Sequence, residues 1–446
     1  MAFKAAAIGD VPESWHVGPL RDVLELITYG FTNPMPDSKT GPWKITAKDV
    51  VDGKVRYETA RHTTEEAYRS LLTDKSRPRI GDVLLTKDGS IGRVAVVDRS
   101  DTCINQSVAL LRPNSSIESR FLAFLLRSPY YQKQMEGDSD GSTIKHIYIT
   151  RVDKMEIALP PIEEQALQLG LLSALDDRID LLRQTNTTLE AIAQALFKSW
   201  FVDFDPVRAK AEGREPEGMD AATAALFPNE FEKSELGLIP KGWGAVPFAE
   251  TVHILGGGTP KTSTPNYWGG GIPWFSVVDA PKSGQIFTLT TEKAVTPEGV
   301  DNSSTCVLPA WTTIISARGT VGKLAMTACP MAMNQSCYGL APRVSGSEAL
   351  VYLAAQRLVS GLQRLAHGGV FDTITRDTLA SVLVVTPPPE AQVALSSRLR
   401  PLFQRVQTNV AHVVTLSDLR DTLLPRLISG KLRLPEAKAL TEESLA

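Results

Sequence analysis

The longest periodic pattern in the chain follows Pro161. Apolar residues recur there every seven positions in two offset rows, which is the a and d pattern of a coiled coil. The a row is Leu172, Ile179, Asn186, Ala193 and Trp200, and the d row is Leu175, Leu182, Leu189 and Leu196. At 1.5 Å per residue, a helix over residues 162–200 would be roughly 58 Å long.

The same two rows return 227 residues later. Their a positions are Leu399, Val406, Val413, Arg420 and Leu427, and their d positions are Leu402, Asn409, Leu416 and Leu423. Pro425 cannot propagate a helix, so the second helix is predicted to kink or end nearby. The alternative is that each helix packs only on its own domain, but a nine-position seam that repeats at a constant offset favours a helix pair.

An antiparallel pair is predicted if the first helix leads from one domain to the next and the second leads back. Antiparallel seams match a with d, and one alignment pairs residues whose numbers sum to 595. It predicts the pairs Leu196 with Leu399, Leu189 with Val406, Leu182 with Val413, and Ile179 with Leu416. It also sets Asn186 against Asn409, so two buried amides would satisfy each other and specify the register.

The repeat extends well beyond the helices. Residues near 11–200 return, diverged, near 239–427, with an offset that stays between 227 and 230 residues. The landmarks are the segments around Trp15 and Trp243, the loops Gly89–Gly92 and Gly319–Gly322, the Asn-Gln-Ser triplets at Asn105 and Asn334, and the Pro-Pro pairs at Pro160 and Pro387. Two similar copies in one chain form a built-in pseudo-dimer, which suits a target with two half-sites such as duplex DNA.

Each copy also contains short apolar runs broken by Gly, Pro, Asn and Asp, which predict strands joined by tight turns. Residues 79–86 and 93–97 are examples of such strands, whereas residues 120–127 and 349–356 have a helical pattern. The predicted fold class is therefore α+β, with two pseudo-repeated mixed domains separated by two long antiparallel coiled-coil helices. The predicted boundaries are 1–158 and 239–385 for the domains, 159–204 and 386–431 for the long helices, 205–238 for an exposed connector, and 432–446 for a tail.

Composition and charge narrow the class of protein. The chain has 446 residues, 43% of them hydrophobic and 22% charged, and no apolar run approaches a membrane span. Its four cysteines include no CxxC pair, and the first residues lack a signal-peptide pattern, so a reducing cytoplasm is expected. The net charge of −3 comes from residues 159–238, with 7 basic and 15 acidic groups, so it does not exclude DNA binding by the domains.

Several strings of residues together resemble one family. They are the segment from Ser199 to Pro206, Leu226-Phe-Pro228, the segment from Glu235 to Trp243, Tyr267-Trp-Gly-Gly270, Ile272-Pro-Trp274, and the segment from Leu423 to Lys431. With the duplicated loops, the Pro-Pro helix starts and the two seams, they resemble the specificity subunit of type I restriction-modification enzymes. The resemblance covers essentially the whole chain.

The resemblance implies a division of labour between subunits. Two target-recognition domains would each read one half of a split DNA site, and the two helices would act as a ruler. The helices would dock two modification subunits, which bind S-adenosylmethionine and methylate adenine N6. Two restriction subunits, which use ATP and Mg, would join for translocation and cleavage. The chain itself would bind no cofactor, and it shows no base-flipping motif, no phosphate loop and no metal-spaced cluster.

Candidate DNA contacts follow from the loops and the basic residues. Glycines at Gly89–Gly92 and Gly319–Gly322 allow a tight turn with exposed backbone N–H groups, although a purely structural hairpin explains them equally well. The DNA-binding candidates are Lys75, Arg77, Arg79, Lys87, Ser90, Arg93 and Lys145 in the first copy, and Lys261, Arg318, Thr320 and Lys323 in the second. Asn105 and Asn334 are expected to bond local backbone. Segment 145–148 differs from its counterpart 372–375, as expected if the copies read different sequences, although divergent surface loops would differ in the same way.

The sequence also suggests three alternative functions. Asp37 with Asp52 and Lys54 formally matches a nuclease pattern that could hold Mg²⁺, but the second copy has no counterpart. Gly256-Gly-Gly-Thr-Pro260 lacks the Lys-Ser/Thr that a nucleotide loop requires. A scaffold that binds only proteins is the third reading, and retention of specific duplexes by the subunit and its complexes distinguishes it from a DNA-binding subunit.

Overall fold

The computed structural model describes residues 3–51, 53–139, 145–281, 284–365, 373–432, 436–437 and 439. The chain divides into two compact units. Unit 1 is Met1–Arg178 with Thr415–Ala446, and unit 2 is Ile179–Val414. Both units mix helices with short strands, which confirms the α+β prediction.

Unit 1 is built on a small antiparallel sheet. Its strands are β1 (Phe3–Ala6), β2 (Gly9–Pro12), β3 (His16–Pro19), β4 (Leu24–Tyr29), β5 (Ser38–Ile45), β6 (Val50–Val51), β7 (Lys54–Val55), β8 (Arg61–His62), β9 (Val83–Thr86), β10 (Val94–Val96), β11 (Thr102–Ile104), β12 (Val108–Pro113) and β13 (Glu156–Leu159). Its short helices are α1 (Glu65–Ser70), α2 (Ser119–Arg127), α3 (Pro129–Gly137) and α4 (Ile149–Val152). The central order is β10-β9-β12-β4, and β11-β5-β8 forms a second sheet. The sheet forms because β9 is an aliphatic run between turns, buried along its whole length.

Unit 2 repeats this plan. Helix α5 (Ile162–Phe201) leads into it along the chain, followed by α6 (Asp205–Ala211), α7 (Ala221–Ala225), β14 (Phe231–Ser234), β15 (Gly237–Pro240), β16 (Gly244–Pro247), α8 (Phe248–Thr251), β17 (Val252–Gly256), β18 (Trp268–Phe275), β19 (Phe287–Thr288), β20 (Lys293–Val295), α9 (Pro297–Asp301), β21 (Thr313–Ser316), β22 (Leu324–Thr327), β23 (Ala332–Met333), β24 (Cys337–Pro342), α10 (Glu348–Leu365), α11 (Arg376–Ser381), β25 (Leu383–Thr386) and α12 (Pro389–Ile428). Its sheet orders are β17-β24-β21-β22-β19 and β20-β18-β23. The predicted strands 79–86 and 93–97 and the predicted helices 120–127 and 349–356 correspond to β9, β10, α2 and α10.

The two long helices pair as the seam predicts. Helices α5 and α12 have 40 residues each, and their bounds are 227 residues apart. In unit 2, Leu196 lies in the same apolar cluster as Leu399, and Leu189 in the same cluster as Val406. The predicted pair Ile179 and Leu416 falls on either side of the division between the units. Helix α12 ends three residues after Pro425, and Gly430 follows with a φ of 68°.

The two seam asparagines meet in the helix pair. Asn409 donates from Nδ2 to Oδ1 of Asn186 at 2.8 Å. The two side chains are 0% and 1% exposed, respectively, so the amides have no access to water. Asn186 Nδ2 and Asn409 Oδ1 have no hydrogen-bond partner within the described residues. The predicted layer is confirmed, and it rests on a single hydrogen bond.

Replacing one seam asparagine is expected to cost more than replacing both. N186L leaves the Asn409 amide buried without a partner, which should lower the free energy of unfolding by about 1–3 kcal/mol. The double variant N186L/N409L should recover most of that loss because no polar group then remains in the layer. Urea unfolding of the full chain, followed by circular dichroism, measures both effects. T188A on the exposed face of α5 is the matched control, and a double variant as unstable as N186L would contradict the pairing.

The other polar seam position, Arg420, has a carboxylate partner in unit 1. Its Nη1 lies 2.7 Å from Asp176 Oδ1, and Arg127 Nη1 lies 3.0 Å from the other oxygen of the same carboxylate. Burial would raise the pKa of Asp176, but the two guanidinium groups outweigh burial and hold that pKa below its usual value. Arg127 belongs to α2, so this ion-pair cluster joins the α+β domain of unit 1 to both long helices.

The Pro-Pro motif marks the same junction in both units. Strands β13 and β25 stop at the prolines, and α5 and α12 begin within three residues. The glutamine that follows in each motif turns back onto the junction: Gln165 Nε2 donates to Pro160 O and Gln392 Nε2 donates to Pro387 O, both at 2.9 Å. The motif therefore couples the last strand of each domain to the first turn of its long helix.

The segment 205–238, predicted as an exposed connector, is largely folded. It forms α6, α7 and β14, and Val207 and Phe227 are 0% and 1% exposed. Phe227 packs edge-on against Trp200 at 5.2 Å between ring centroids, in a cluster that also includes Trp243. Most of the segment is exposed, as predicted, but a few apolar residues anchor it, which its charge, Pro and Gly content did not indicate.

The repeat also begins earlier than its sequence landmarks. The hairpin β1–β2 pairs Phe3 with Pro12, and the hairpin β14–β15 pairs Phe231 with Pro240 in the same register. The predicted boundary at residue 239 therefore falls inside β15. The two hairpins share Phe, Gly and Pro at equivalent positions, and most of the residues between these differ.

Candidate nucleic-acid interface

The loop Gly89–Gly92 closes the hairpin β9–β10 at one edge of unit 1. The hydroxyl of Thr86 donates to Ser90 O and accepts from the backbone N–H of Arg93 at 2.9 Å. Gly89 and Gly92 have φ values of 74° and 81°, a region that side chains with a Cβ avoid. Ser90 and Arg93 are exposed on this turn. The glycines set the backbone, and the side chains between and after them face solvent.

The loop Gly319–Gly322 makes the same turn in unit 2. Ser316 donates to Thr320 O at 2.5 Å and accepts from the N–H of Lys323 at 2.8 Å. Gly319 and Gly322 have φ values of 77° and 82°. Thr320 and Lys323 are exposed, as are their counterparts in unit 1. The two loops therefore share one hydrogen-bond pattern although only their glycines are identical.

Backbone N–H groups contribute less to these loops than the glycines suggest. In unit 1, Gly89 donates to Lys145 O at 2.9 Å and Gly92 donates to Thr86 O at 2.9 Å. In unit 2, Gly322 donates to Ser316 O at 2.9 Å. These donors are used inside the protein, so the loops offer their side chains to a ligand in preference to a nest of glycine N–H groups.

Beside the first loop, a carboxylate and an imidazole form a pair. Asp88 accepts from His146 Nδ1, and the two residues form an isolated antiparallel β-bridge. Lys87 Nζ lies 3.1 Å from the same carboxylate and 5.2 Å from the centre of the Tyr29 ring. Lys87 is only 7% exposed. As a predicted DNA contact Lys87 is badly placed, because its ammonium group is buried and holds Asp88 in position.

Unit 2 has the same bridge with different side chains. Arg318 and Thr373 form an isolated antiparallel β-bridge at the position of Asp88 and His146. Both Arg318 and Thr373 are exposed. Among the described residues, Arg318 takes part in no ion pair, so its guanidinium group keeps its donors for a ligand.

The Asn-Gln-Ser triplets lie next to the segments that lead into these loops. The side chain of Asn105 accepts from Ser107 N at 3.3 Å, and that of Asn334 accepts from Ser336 N at 3.0 Å. The expectation that both asparagines bond local backbone is confirmed. Ser107 O and Ser336 O then accept from the residues that precede Asp88 and Arg318, at 2.9 and 2.7 Å.

The middle residue of each triplet is a further candidate, which the sequence prediction left out. In each unit we call the glycine loop, the bridge beside it and the Asn-Gln-Ser triplet the loop cluster. Gln106 and Gln335 are exposed in it. Gln335 Oε1 accepts from the Thr259 hydroxyl. The signal was present in the sequence, since an exposed glutamine kept in both copies has no packing reason to persist. A glutamine amide both donates and accepts, which suits the edge of adenine.

The remaining candidates are divided between the loop cluster and other places. Lys145 is exposed beside Gly89. Lys75, Arg77 and Arg79 lie before β9, at the end of that strand remote from the Gly89 loop. Arg77 is also held by Asp74, 3.7 Å away, and lies 5.7 Å from the Tyr68 ring. Lys261 is exposed after the Gly256–Pro260 segment, and its carbonyl accepts from Trp268 Nε1 at 3.3 Å.

Free positive charge is therefore present on both loop clusters. The exposed candidates that make no ion pair with any described residue are Lys75, Arg79, Arg93, Lys145, Lys261, Arg318 and Lys323. Phosphate binding by an unpaired surface cation costs little free energy, because no existing ion pair has to be broken. This distribution suits polyanion binding by each unit, although the whole chain carries a net charge of −3.

The rival nuclease pattern lies partly outside the described residues. Asp37 pairs with Lys44 and, at 3.0 Å, with Arg61. Hydrogen bonding from Lys44 is the main reason that the pKa of Asp37 lies below its usual value. Asp52 lies outside the described residues, and no group of three or more His, Cys, Asp or Glu suited to a metal occurs within them.

None of the described helices has the length and apolar character to cross a membrane.

Comparisons with known proteins point in one direction. A family model for the type I restriction modification DNA specificity domain matches residues 12–191 and 240–412. The specificity subunit of the HindI type I restriction enzyme from Haemophilus influenzae is 28% identical over 400 residues, which covers 79% of this chain and 86% of that protein. The MjaIX specificity subunit from Methanocaldococcus jannaschii is 24% identical over 446 residues, covering 97% of each chain.

A solved structure shares the fold. The S subunit of a type I restriction-modification system from M. genitalium aligns with a TM-score of 0.55 at 15% identity, covering 96% of this chain and 99% of that one. At this identity the likeness concerns the fold alone. The two matched family regions each include one of the loop clusters described above.

Proposed function

The chain belongs to the type I restriction-modification DNA specificity family, and from this premise we propose that its two units each read one half of a split duplex site. One observation carries the proposal: the two loop clusters have the same backbone frame but present different side chains. A shared frame suits two similar ways of approaching DNA, and different side chains suit two different half-site sequences. The exposed cations at both clusters supply phosphate contacts.

In this proposal the chain is the non-catalytic member of a larger cytoplasmic complex. It positions two modification subunits, which bind S-adenosylmethionine and methylate adenine N6 in each half-site. Two restriction subunits, with ATP and Mg, join the complex for translocation and cleavage. The chain itself binds neither cofactor, and its part is to choose the site. The long helices are the proposed docking elements for the modification subunits and set the distance between half-sites.

Mapping the methylated adenines tests this function directly. The chain is co-expressed with its cognate modification subunit in a host that lacks adenine methylation, and N6-methyladenine is mapped by single-molecule sequencing. The expected result is one split motif with a gap of constant length and one methylated adenine in each half. A stable complex loaded with S-adenosylmethionine that methylates no defined motif would favour the protein-scaffold reading.

A further inference from the structure

At the bridge beside each loop, the two units share a backbone arrangement but differ in side-chain chemistry. In unit 1, the residue after His146 donates its N–H to Lys87 O at 2.9 Å, and in unit 2 the residue after Thr373 donates to Ala317 O at 2.8 Å. The bridges Asp88–His146 and Arg318–Thr373 are thus held by the same hydrogen bonds on the same side of the loops. Asp88 and Arg318 occupy equivalent positions and carry opposite charges.

Unit 1 presents hydrogen-bond acceptors at this position. The ionised carboxylate of Asp88 can only accept, so His146 Nδ1 must carry the proton of their hydrogen bond. Lys87 holds the carboxylate from the buried side. A carboxylate has about four acceptor sites. Asp88 therefore keeps acceptors beyond its bonds to His146 and Lys87, and its side chain is partly exposed to a ligand.

Unit 2 presents hydrogen-bond donors at the same position. The guanidinium of Arg318 is a planar fork of donors and never accepts. Its exposure and its lack of an ion pair within the described residues leave the fork available. The pattern of unit 1 is therefore inverted in unit 2.

This inversion separates base reading from phosphate contact. A residue that contacts phosphate can be a cation or a neutral donor, but a carboxylate at that place would repel the backbone of DNA. An equivalent position that is Asp in one unit and Arg in the other therefore cannot make the same phosphate contact in both units. Base edges in the major groove offer both donors and acceptors, so they can match either residue.

We propose that the position of Asp88 and Arg318 selects a base of opposite character in each half-site: Arg318 selects guanine, and Asp88 with His146 selects a base with an amino group, cytosine or adenine. The proposal rests on the proposed function of the chain. Arg318 would bond O6 and N7 of guanine, and the acceptors of unit 1 would bond the exocyclic amino group of cytosine or adenine. Guanine offers only acceptors along the same edge, so unit 1 would reject it.

The test uses the complex of the full chain with its modification subunit. Wild type and R318K are each equilibrated with duplexes that carry all four bases at every position of both half-sites, and the bound fraction is sequenced. R318K keeps the charge but loses the planar fork. The expected result is a loss of about 5- to 100-fold in the preference for guanine at one position of one half-site, with the other half-site unchanged.

A matched control lies in the same loop. K323A removes a cation without changing the proposed reading position, so it should weaken binding to all sequences by a similar factor. In unit 1, D88N turns one acceptor oxygen into a donor, and it should relax the preference for cytosine or adenine in the other half-site. In unit 1, R93A is the corresponding control, because Arg93 is an exposed cation in the equivalent loop.

The outcomes separate this proposal from the proposed function. Wild-type complex that selects no split sequence overturns the proposed function and this proposal with it. If the wild type selects a split sequence and R318K binds it more weakly with unchanged base preference, only the reading position is overturned. The reading position is also overturned if neither wild-type half-site contains guanine. A preference that relaxes at one position in each half-site, for R318K and D88N respectively, establishes it.

Discussion

One heptad inserted into both long helices is expected to lengthen the gap between the half-sites by about three base pairs. Seven residues add about 10 Å of helix, and base pairs stack at about 3.4 Å. A heptad keeps the a and d rows in phase, whereas a shorter insertion would rotate the seam away from its partner. The insertion follows Arg178 in α5 and Leu416 in α12, which preserves the register in which paired residue numbers sum to 595.

Methylation mapping of the variant complex measures the new gap. Both half-site sequences should be unchanged, because no recognition residue is altered. The control inserts the same heptad into α5 alone, which mismatches the two seams and should abolish both stability and methylation. An unchanged gap in a stable variant with both insertions would show that the helices do not set the spacing.

Exchange of the second recognition domain is expected to replace one half-site completely. Strands β16 and β25 pair with each other, so residues 244–386 begin and end on a single ladder and can be exchanged as one piece. Trp243 must stay, because its ring packs against Phe201 and Phe227 outside that piece. The equivalent segment of another family member should bring its own half-site and leave the half-site of unit 1 and the gap unchanged.

The matched control for this exchange starts at residue 239, the boundary that the sequence suggests. It cuts β15 and separates it from β14, so it should lower the yield of folded protein. Methylation mapping reads the half-sites of the exchanged chain, and thermal unfolding compares the two designs. A change in both half-sites would contradict independent reading by the two units.

The long helices were predictable because their signal is periodic and duplicated. The heptad rows determine which faces of α5 and α12 are buried, and the antiparallel register brings Asn186 to Asn409 without further information. The partner of Arg420 was not predictable, since Asp176 lies outside the a and d rows and Arg127 comes from a different element. Long-range ion pairs leave no periodic trace in a sequence.

The tight turns of the candidate interface were predictable, but the surroundings of their side chains were not. The glycines of both loops mark tight turns because only glycine readily adopts their φ values. Sequence could not show that Lys87 points inward to Asp88, because exposure is decided by the packing of neighbouring strands. Nor could it show that Asp88 and Arg318 meet residues 146 and 373, which lie over 50 positions away in the chain.

Binding of duplexes with one or both half-sites tests the central claim most directly. The purified complex with the modification subunit is titrated with four labelled duplexes. One is intact, two have a single half-site scrambled, and one has both half-sites scrambled. Two-unit reading predicts that scrambling either half weakens binding by at least about tenfold, since each mismatched base pair costs about 1–3 kcal/mol. Equal affinity for the intact duplex and for a duplex with one scrambled half would contradict it.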